Sequence, residues 1–176
     1  MHHLINCTNQ AGIFVTDLSL LKTVDEEFMG DLNIALDDEG ETEVTFDFPD
    51  ELWCDVWKQE SSEIVDAINN DKFSLILLKA GTYKLEVLTK IPQANMLVST
   101  QWINVSSGKI SFLEAGQWIE DFFSDENTAP ILELSIPNGK YTLSYYYNSS
   151  SEIISISVVN YDHKPEKLTT LPSLSN

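Results

Sequence analysis

Residues 73–88 read FSLILLKAGTYKLEVL, two apolar runs separated by a short turn that contains a glycine. Both runs are rich in residues that favour β-structure, and each has the length of an ordinary strand. The stretch therefore predicts two β-strands, Phe73–Leu78 and Tyr83–Leu88.

The rest of the chain repeats this pattern at close spacing, with turn residues between the apolar runs. Such regularity is typical of antiparallel sheets that pack on each other. We therefore expect a mainly β (α+β) fold, an antiparallel β-sandwich or half-barrel with one or two short helices. The further predicted strands are Gly12–Thr16, Leu97–Val105, Lys109–Leu113, Ile131–Ile136, Tyr141–Tyr147 and Ile153–Val159.

A weak internal repeat links two of these regions. Residues 75–85 and 133–143 each contain a strand, a glycine turn and then an aromatic-x-Leu triplet. We interpret them as two hairpins made by the same turn chemistry, because glycine-containing turns recur for local reasons. The alternative is an internally duplicated sandwich.

The middle of the chain predicts an acidic hairpin followed by two short helices. Asp31–Leu36 and Glu43–Phe48 alternate apolar and polar residues around an acidic turn, residues 37–41. The first helix is predicted to begin at Pro49, because proline and acidic residues favour a first turn. The second begins at Ser61 and ends at Asn69-Asn70, with an apolar stripe of Ile64, Val65 and Ile68.

Negative charge is concentrated in the first half of the chain. The protein has 28 acidic residues and ten lysines, no arginine, and a formal net charge of −18. Met1–Asp71 holds 18 of the acids and two lysines, and residues 25–55 contain no base. Like charges at this density weaken the compact state, so a cationic partner outside the fold is the expected use for them.

Composition also limits the setting and the other partners. The predicted organisation is one β-rich domain, residues 1–162, and an irregular C-terminal tail, residues 163–176, either frayed or docked. No signal peptide or membrane span is predicted, which favours the cytoplasm. The charge and the absence of arginine argue against binding to nucleic acid or anionic membranes.

Cys7 and Cys54 are expected to be thiols, with one disulfide as the alternative.

Motifs of catalysis and of metal or cofactor binding are weak. The three histidines are His2, His3 and His163, at the ends of the chain, and nothing places them near a cysteine or serine nucleophile. An EF-hand with Gly40 at its sixth position would begin at Ala35, which cannot ligate calcium by its side chain. We therefore predict no catalytic residues, no metal site and no cofactor.

Three short stretches resemble a known family. Ile5–Gln10, Phe14–Asp17 and Ile136–Leu143 are similar to the competence-pathway nuclease inhibitor family and related bacterial immunity proteins. The resemblance implies a small β-rich protein that binds and silences a cognate nuclease. It assigns no site residue to this chain.

Charge and resemblance together predict an immunity or inhibitor protein, not an enzyme, that neutralises a basic protein toxin such as a nuclease. The alternative is a carbohydrate- or small-ligand-binding β-sandwich, which suits the aromatic content but leaves the charge unexplained. A hydrolase or other enzyme with an unrecognised site is the third hypothesis, and it would need a concave pocket with convergent polar groups. The acids themselves could also be a merely solvated surface. Trp53 and Trp57 are either core residues or interface anchors. The predicted partner-binding acids are Asp37, Asp38, Glu39, Glu41, Glu43 and Asp47 on the hairpin, and Asp50, Glu51 and Asp55 on the following helix.

Overall fold

The computed structural model describes residues 2–7, 12–21, 61–78, 81–90, 92, 96–115, 129–161 and 164–174. These residues form nine strands and two helices. The helices are α1 (Leu18–Leu21) and α2 (Ser61–Asn69). The strands are β1 (His2–Cys7), β2 (Ile13–Thr16), β3 (Ser74–Ile76), β4 (Gly81–Leu88), β5 (Met96–Val105), β6 (Lys109–Glu114), β7 (Leu132–Ser135), β8 (Gly139–Asn148) and β9 (Ile153–Asn160).

The strands form two sheets that pack face to face. The five-stranded sheet has the order β1-β4-β9-β8-β5, and the four-stranded sheet has the order β3-β2-β6-β7. The predicted β-sandwich with short helices is confirmed. The five-stranded sheet is mixed, because β4 and β9 run parallel, with Lys84 opposite Ile153, whereas its other pairs are antiparallel. β4 arrives from the other sheet rather than from a hairpin beside β9, so no tight turn sets its direction.

The two glycine turns of the internal repeat are not hairpins. β3 and β7 lie in the four-stranded sheet, whereas β4 and β8, which follow them, lie in the five-stranded sheet. Each turn therefore carries the chain from one sheet to the other. The aromatic residue after each glycine, Tyr83 or Tyr141, enters the core between the sheets. Turn composition alone does not specify whether the next strand pairs with the previous one.

The core between the sheets follows the alternation of the strands. In β8, Tyr141, Leu143 and Tyr145 are buried in this cluster, and Ile154 and Ile156 meet them from β9. Complete burial of one such aliphatic side chain contributes about 1.5–3 kcal/mol relative to leaving it in water. This inter-sheet cluster is the main source of hydrophobic stabilisation in the described residues.

A second core lies on the outer face of the four-stranded sheet, where α2 packs. Ile64 and Ile68 of α2 are buried with Phe14 of β2 and with Phe73. The rings of Phe14 and Phe73 are 4.7 Å apart between centroids. The predicted second helix and its apolar stripe are thus confirmed. β2 is buried on both faces, so it reads as a continuous apolar run.

Gly12, just before β2, is required by packing. Its φ is +121°, and a Cβ at this position would lie 2.1 Å from the carbonyl oxygen of Ile76. Any side chain here would therefore displace β2 from β3. Gly12 fixes how closely these two strands approach where they enter the sandwich.

The described part of the C-terminal segment is docked. The amide of Leu77, just after β3, donates to Pro172 O at 2.9 Å, and Leu174 N donates to Leu77 O at 3.0 Å. Asn69, at the end of α2, accepts a bond from Leu168 N and donates one to Leu168 O, both at 2.9 Å. Of the two possibilities for the tail, docking holds for residues 164–174.

No helix in the described ranges is long and apolar enough to cross a membrane.

Candidate functional site

The predicted partner-binding residues all fall between α1 and α2, outside the described residues. Their geometry therefore stays a prediction, and so does the expectation that Cys7 and Cys54 are thiols, because Cys54 lies outside the described residues. The set comprises Asp37, Asp38, Glu39, Glu41, Glu43, Asp47, Asp50, Glu51, Asp55, Trp53 and Trp57.

The sequence between the two helices carries most of the protein's charge. Residues 22–60, here called the acidic segment, hold 14 acidic residues and two lysines, a net charge of −12. The remaining 137 residues account for −6 of the total of −18. The flanks of this segment are described, and they define where it joins the sandwich.

The flank before the acidic segment is fixed by the carboxylate of Asp17, which is 1% exposed. Oδ1 accepts bonds from Ser19 N at 2.9 Å and from the hydroxyls of Ser19 and Ser107, both at 2.7 Å. Oδ2 accepts from Ser106 N at 2.7 Å, Ser107 N at 2.8 Å and the Ser106 hydroxyl at 3.2 Å. Asp17 thus caps α1 and ties it to the turn between β5 and β6.

The ionisation of Asp17 follows from these bonds. Burial by itself raises its pKa, but the hydrogen bonds from Ser19, Ser106 and Ser107 outweigh burial and hold the pKa well below the ordinary value of 3.8. The carboxylate is therefore charged at any physiological pH. It acts as a permanent link between α1 and the β5–β6 turn.

The flank after the acidic segment is fixed by hydrophobic packing. α2 begins at Ser61, and its buried residues Ile64 and Ile68 belong to the outer cluster on the four-stranded sheet. Leu18 of α1 packs against this same cluster. The acidic segment therefore leaves and rejoins the sandwich at one face, with both ends held.

A second polar cluster surrounds Trp102 on β5, which is 8% exposed. The ammonium groups of Lys140 and Lys164 each lie 4.4 Å from a ring centroid of Trp102. Tyr161 packs nearby at a centroid distance of 5.8 Å, and Lys140 approaches Asp71 at 3.5 Å. These cation–π contacts hold the chain after β9 against the five-stranded sheet.

An open groove of about 410 Å³ lies beside Thr100 of β5. The described part of its lining is polar and aliphatic, with no aromatic side chain. These lining residues are Thr100, Pro165, Glu166, Lys167, Leu168, Thr169 and Thr170. A sugar site of the kind expected for the alternative function uses aromatic faces for stacking, and the described residues of this groove offer none.

A buried polar network joins the two sheets. The Ser74 hydroxyl donates to Gln101 Oε1 at 2.8 Å, so Tyr145 must donate its own proton to Ser74. Burial raises the pKa of Tyr145, and the bond with Ser74 opposes that rise only in part. Tyr145 therefore stays protonated and structural, with no accessible reacting group beside it.

No group of three or more His, Cys, Asp or Glu side chains that could hold a metal occurs within the described ranges. Of the three histidines, His163 lies outside those ranges, so its surroundings are not described. Asp17, Ser106 and Ser107 form the densest polar cluster of those described, and it lacks a base for a nucleophile.

Sequence reasoning missed Asp17 and the exposed edge of β5. The sequence signal for Asp17 was present: an Asp directly before a short apolar helix is a good N-cap. Its partners in the Ser106-Ser107 turn are about 90 residues away, so only the fold brings them together. Met96 and Leu97, two exposed residues at the start of β5, gave no sequence signal. The alternation of apolar and polar residues does not reveal which strand lies at the edge of a sheet.

Comparison with known proteins assigns no family. No protein-family model matches this chain, and no curated protein is similar to it. One solved structure, titled "Crocagin biosynthetic gene J", aligns with a TM-score of 0.43 and 12% identity, covering 89% of this chain and 96% of that chain. The resemblance to nuclease inhibitors and immunity proteins therefore stays a prediction.

Proposed function

We propose that this protein is an immunity or inhibitor protein that binds a basic protein toxin, with a nuclease as the favoured class. The observation that carries the proposal is the acidic segment. It has a net charge of −12, and its flanks are held on one face of the sandwich by Asp17 and α2. In this proposal the sandwich is a scaffold, and the acidic segment is the surface that contacts the toxin.

Elementary electrostatics favours this use of the charge. Closely spaced carboxylates repel each other, so their presence costs stability unless an external cation compensates them. Nucleases carry Lys and Arg in clefts that bind phosphate, and a row of carboxylates is complementary to such a cleft. Complementary fields also raise association rates to about 10⁸–10⁹ M⁻¹s⁻¹ at low salt, which suits a protein that must act before a toxin does.

The same charge also bears on which other partners and which compartment we propose. A chain with a net charge of −18 and no arginine repels nucleic acid and anionic lipid, so neither is a proposed partner. We place the protein in the cytoplasm, where a nuclease would reach its substrate. The proposal requires no cofactor.

Binding of a carbohydrate or small ligand is the second candidate. The groove beside Thr100 is open and polar, and a hydrophilic ligand could enter it. The described part of its lining lacks an aromatic platform. This candidate also leaves the charge of the acidic segment unexplained. Glycan binding that is insensitive to salt would favour this candidate over the inhibitor.

The test of the proposal recovers a partner and then measures inhibition. The wild-type protein is immobilised and exposed to lysate of its source organism at low salt, and retained proteins are eluted with a salt gradient and identified. A retained basic protein is purified and assayed for degradation of plasmid DNA and total RNA. We expect the wild-type chain to abolish that nuclease activity at an equimolar ratio.

Two variants with equal net charge locate the binding surface. Reversing Asp37, Asp38, Glu39 and Glu41 to Lys should weaken inhibition by about 100-fold or more, because like charges then face the toxin. The charge-matched comparison reverses only Asp38 and Glu39 in one variant and Asp66 and Glu152, two exposed acids outside the acidic segment, in the other. Only the first of this pair should weaken inhibition. Equal loss in both variants would contradict a localised acidic surface, and absence of an inhibited nuclease would overturn the proposal.

A further inference from the structure

Exposed apolar side chains in the described residues concentrate at the edges of the five-stranded sheet. The three large hydrophobic residues with high exposure are Leu4 at 66%, Met96 at 62% and Leu97 at 54%. Leu4 is on β1 and the other two are on β5, the two edge strands of this sheet. Met96 and Leu97 are consecutive, so the start of β5 exposes one large apolar side chain on each of its two faces.

The edge of β5 contrasts with the edge of β3. The side-chain amide of Gln101 covers the edge of β3, accepting from Leu75 N at 3.0 Å and donating to Leu75 O at 2.8 Å. The C-terminal segment continues this cover at Leu77. Within the described residues, by comparison, β5 pairs only with β8. The edge of β3 is therefore closed by specific hydrogen bonds, whereas no described strand pairs with the outer edge of β5.

Residues 96–100, MLVST, lack the charges and prolines that usually discourage strand addition, although the register with β8 shifts between Leu97 and Ser99. They begin a strand of ten residues. Val98 packs against the core between the sheets, which fixes this part of β5 on the sandwich. The result is a rigid strand edge with apolar side chains exposed on it.

Charge complementarity selects the occupant. A second copy of this chain would bring another net charge of −18 to the same interface, and the copies would repel each other. A basic protein would be attracted. Exposed ion pairs contribute little each, so a tight complex also needs apolar contacts that are buried on binding.

We propose that the edge of β5 at Met96–Thr100 is the apolar anchor of the interface with the basic partner, which adds an extended strand to it. This inference rests on the proposed inhibitor function. Main-chain hydrogen bonds to β5 would supply the pairing, and Met96 and Leu97 would pack against alternate side chains of the added strand. The acidic segment attracts the partner, and the β5 edge slows its release.

The test uses a matched pair of variants at the two sheet edges, with the basic nuclease recovered by the wild-type protein as the probe. Leu97→Ser should raise the Kd at least about tenfold through a faster dissociation rate. Leu4→Ser makes the same change at a residue of similar exposure on β1, and its Kd should match that of the wild type. The factor for Leu97→Ser should be the same at low and high salt, because the lost contact is apolar.

Hydrogen exchange tests strand addition directly. Amides of residues 96–100 should exchange more slowly in the complex than in the free protein, whereas those of β1 should not change. Unaltered exchange at residues 96–100, or equal affinity of the Leu97→Ser variant and wild type, would overturn the inference while the inhibitor function stood. A doubled mass in light scattering of the protein alone that Leu97→Ser abolishes would assign the edge to self-association instead. Recovery of no basic partner would overturn both the function and this inference.

Discussion

At the scale of single residues, Asp17 shows how hydrogen bonds can compensate the burial of a charge. Its two oxygens accept six hydrogen bonds from three serines, and two of those serines lie about 90 residues away in sequence. Bonds to an ionised acceptor contribute more than neutral ones, about 1.5–3 kcal/mol each against about 1. Asp17 therefore fixes the start of α1, and with it the point where the acidic segment begins.

Replacing Asp17 with Asn should destabilise the protein by about 2–4 kcal/mol, because the charge is lost and one carboxylate oxygen becomes an amide donor facing other donors. Urea denaturation followed by tryptophan fluorescence measures the change. Ser19→Ala is the control, since it removes one hydroxyl donor and leaves the backbone bonds in place. A variant Asp17→Asn as stable as the wild type would contradict the role given to this carboxylate.

The pH dependence of that difference has a defined sign. The pKa of Asp17 is lowered by folding, so its contribution to stability is complete above the unfolded pKa of about 3.9 and declines as the pH falls below it. The gap in stability between the wild type and Asp17→Asn should therefore be constant from pH 5 to 7 and narrow below about pH 4. Urea midpoints at several pH values test this. A gap that widens in acid would show that another group is responsible.

At the scale of elements, the C-terminal segment acts as a cover for β3. Its bonds at Leu77 and Asn69 attach residues 168–174 to the edge of the four-stranded sheet and to the end of α2. Leu168 and Leu171 also pack against the outer hydrophobic cluster. Without this segment, β3 would present unpaired backbone groups beside an apolar surface, which favours aggregation.

Ending the chain after Lys167 should lower the midpoint of thermal unfolding and speed aggregation, because the edge bonds and three packed leucines, Leu168, Leu171 and Leu174, are lost. Static light scattering during heating reports both effects. A chain that ends after Leu174 is the matched control, since it keeps every bond described for the segment. Equal behaviour of the two truncated chains would contradict the covering role.

The local pattern of apolar and polar residues was sufficient to predict most strands and α2, but it was insufficient to predict how the strands are arranged in the sheets. Strand alternation and the stripe of Ile64, Val65 and Ile68 predict β-structure and α2, because these signals depend on neighbours along the chain. The crossings at Gly81 and Gly139 depend on which sheet the next strand joins, and so does the parallel pairing of β4 with β9. Those choices are set by packing between distant segments, which a turn sequence does not encode.

At the scale of the whole molecule, charge and fold are separated along the chain. The acidic segment holds −12 of the net charge of −18, whereas the hydrophobic clusters are made by the strands, α2 and residues beside them. The sequence alone revealed the concentration of charge, and the fold adds that both flanks of the segment rest on one face.

The two parts of the proposed interface, the acidic segment and the β5 edge, differ in whether the sequence alone predicts them. The acids were predictable from composition, because charge density needs no coordinates. The apolar edge at Met96 and Leu97 was not, since exposure depends on where β5 lies in the sheet order. Electrostatic attraction is thus assigned to the acidic segment and apolar burial to the β5 edge. The charge-reversal variant tests the first, and Leu97→Ser tests the second.

The most direct test of the inhibitor function is the salt dependence of the Kd for the recovered basic nuclease. For the wild type, the Kd should rise steeply between about 50 and 500 mM NaCl, because screening weakens complementary charges. The variant reversed at Asp37, Asp38, Glu39 and Glu41 should bind weakly at every salt concentration and show a much flatter slope. A wild-type Kd that is micromolar or weaker at low salt, or that does not change with salt, would contradict the account.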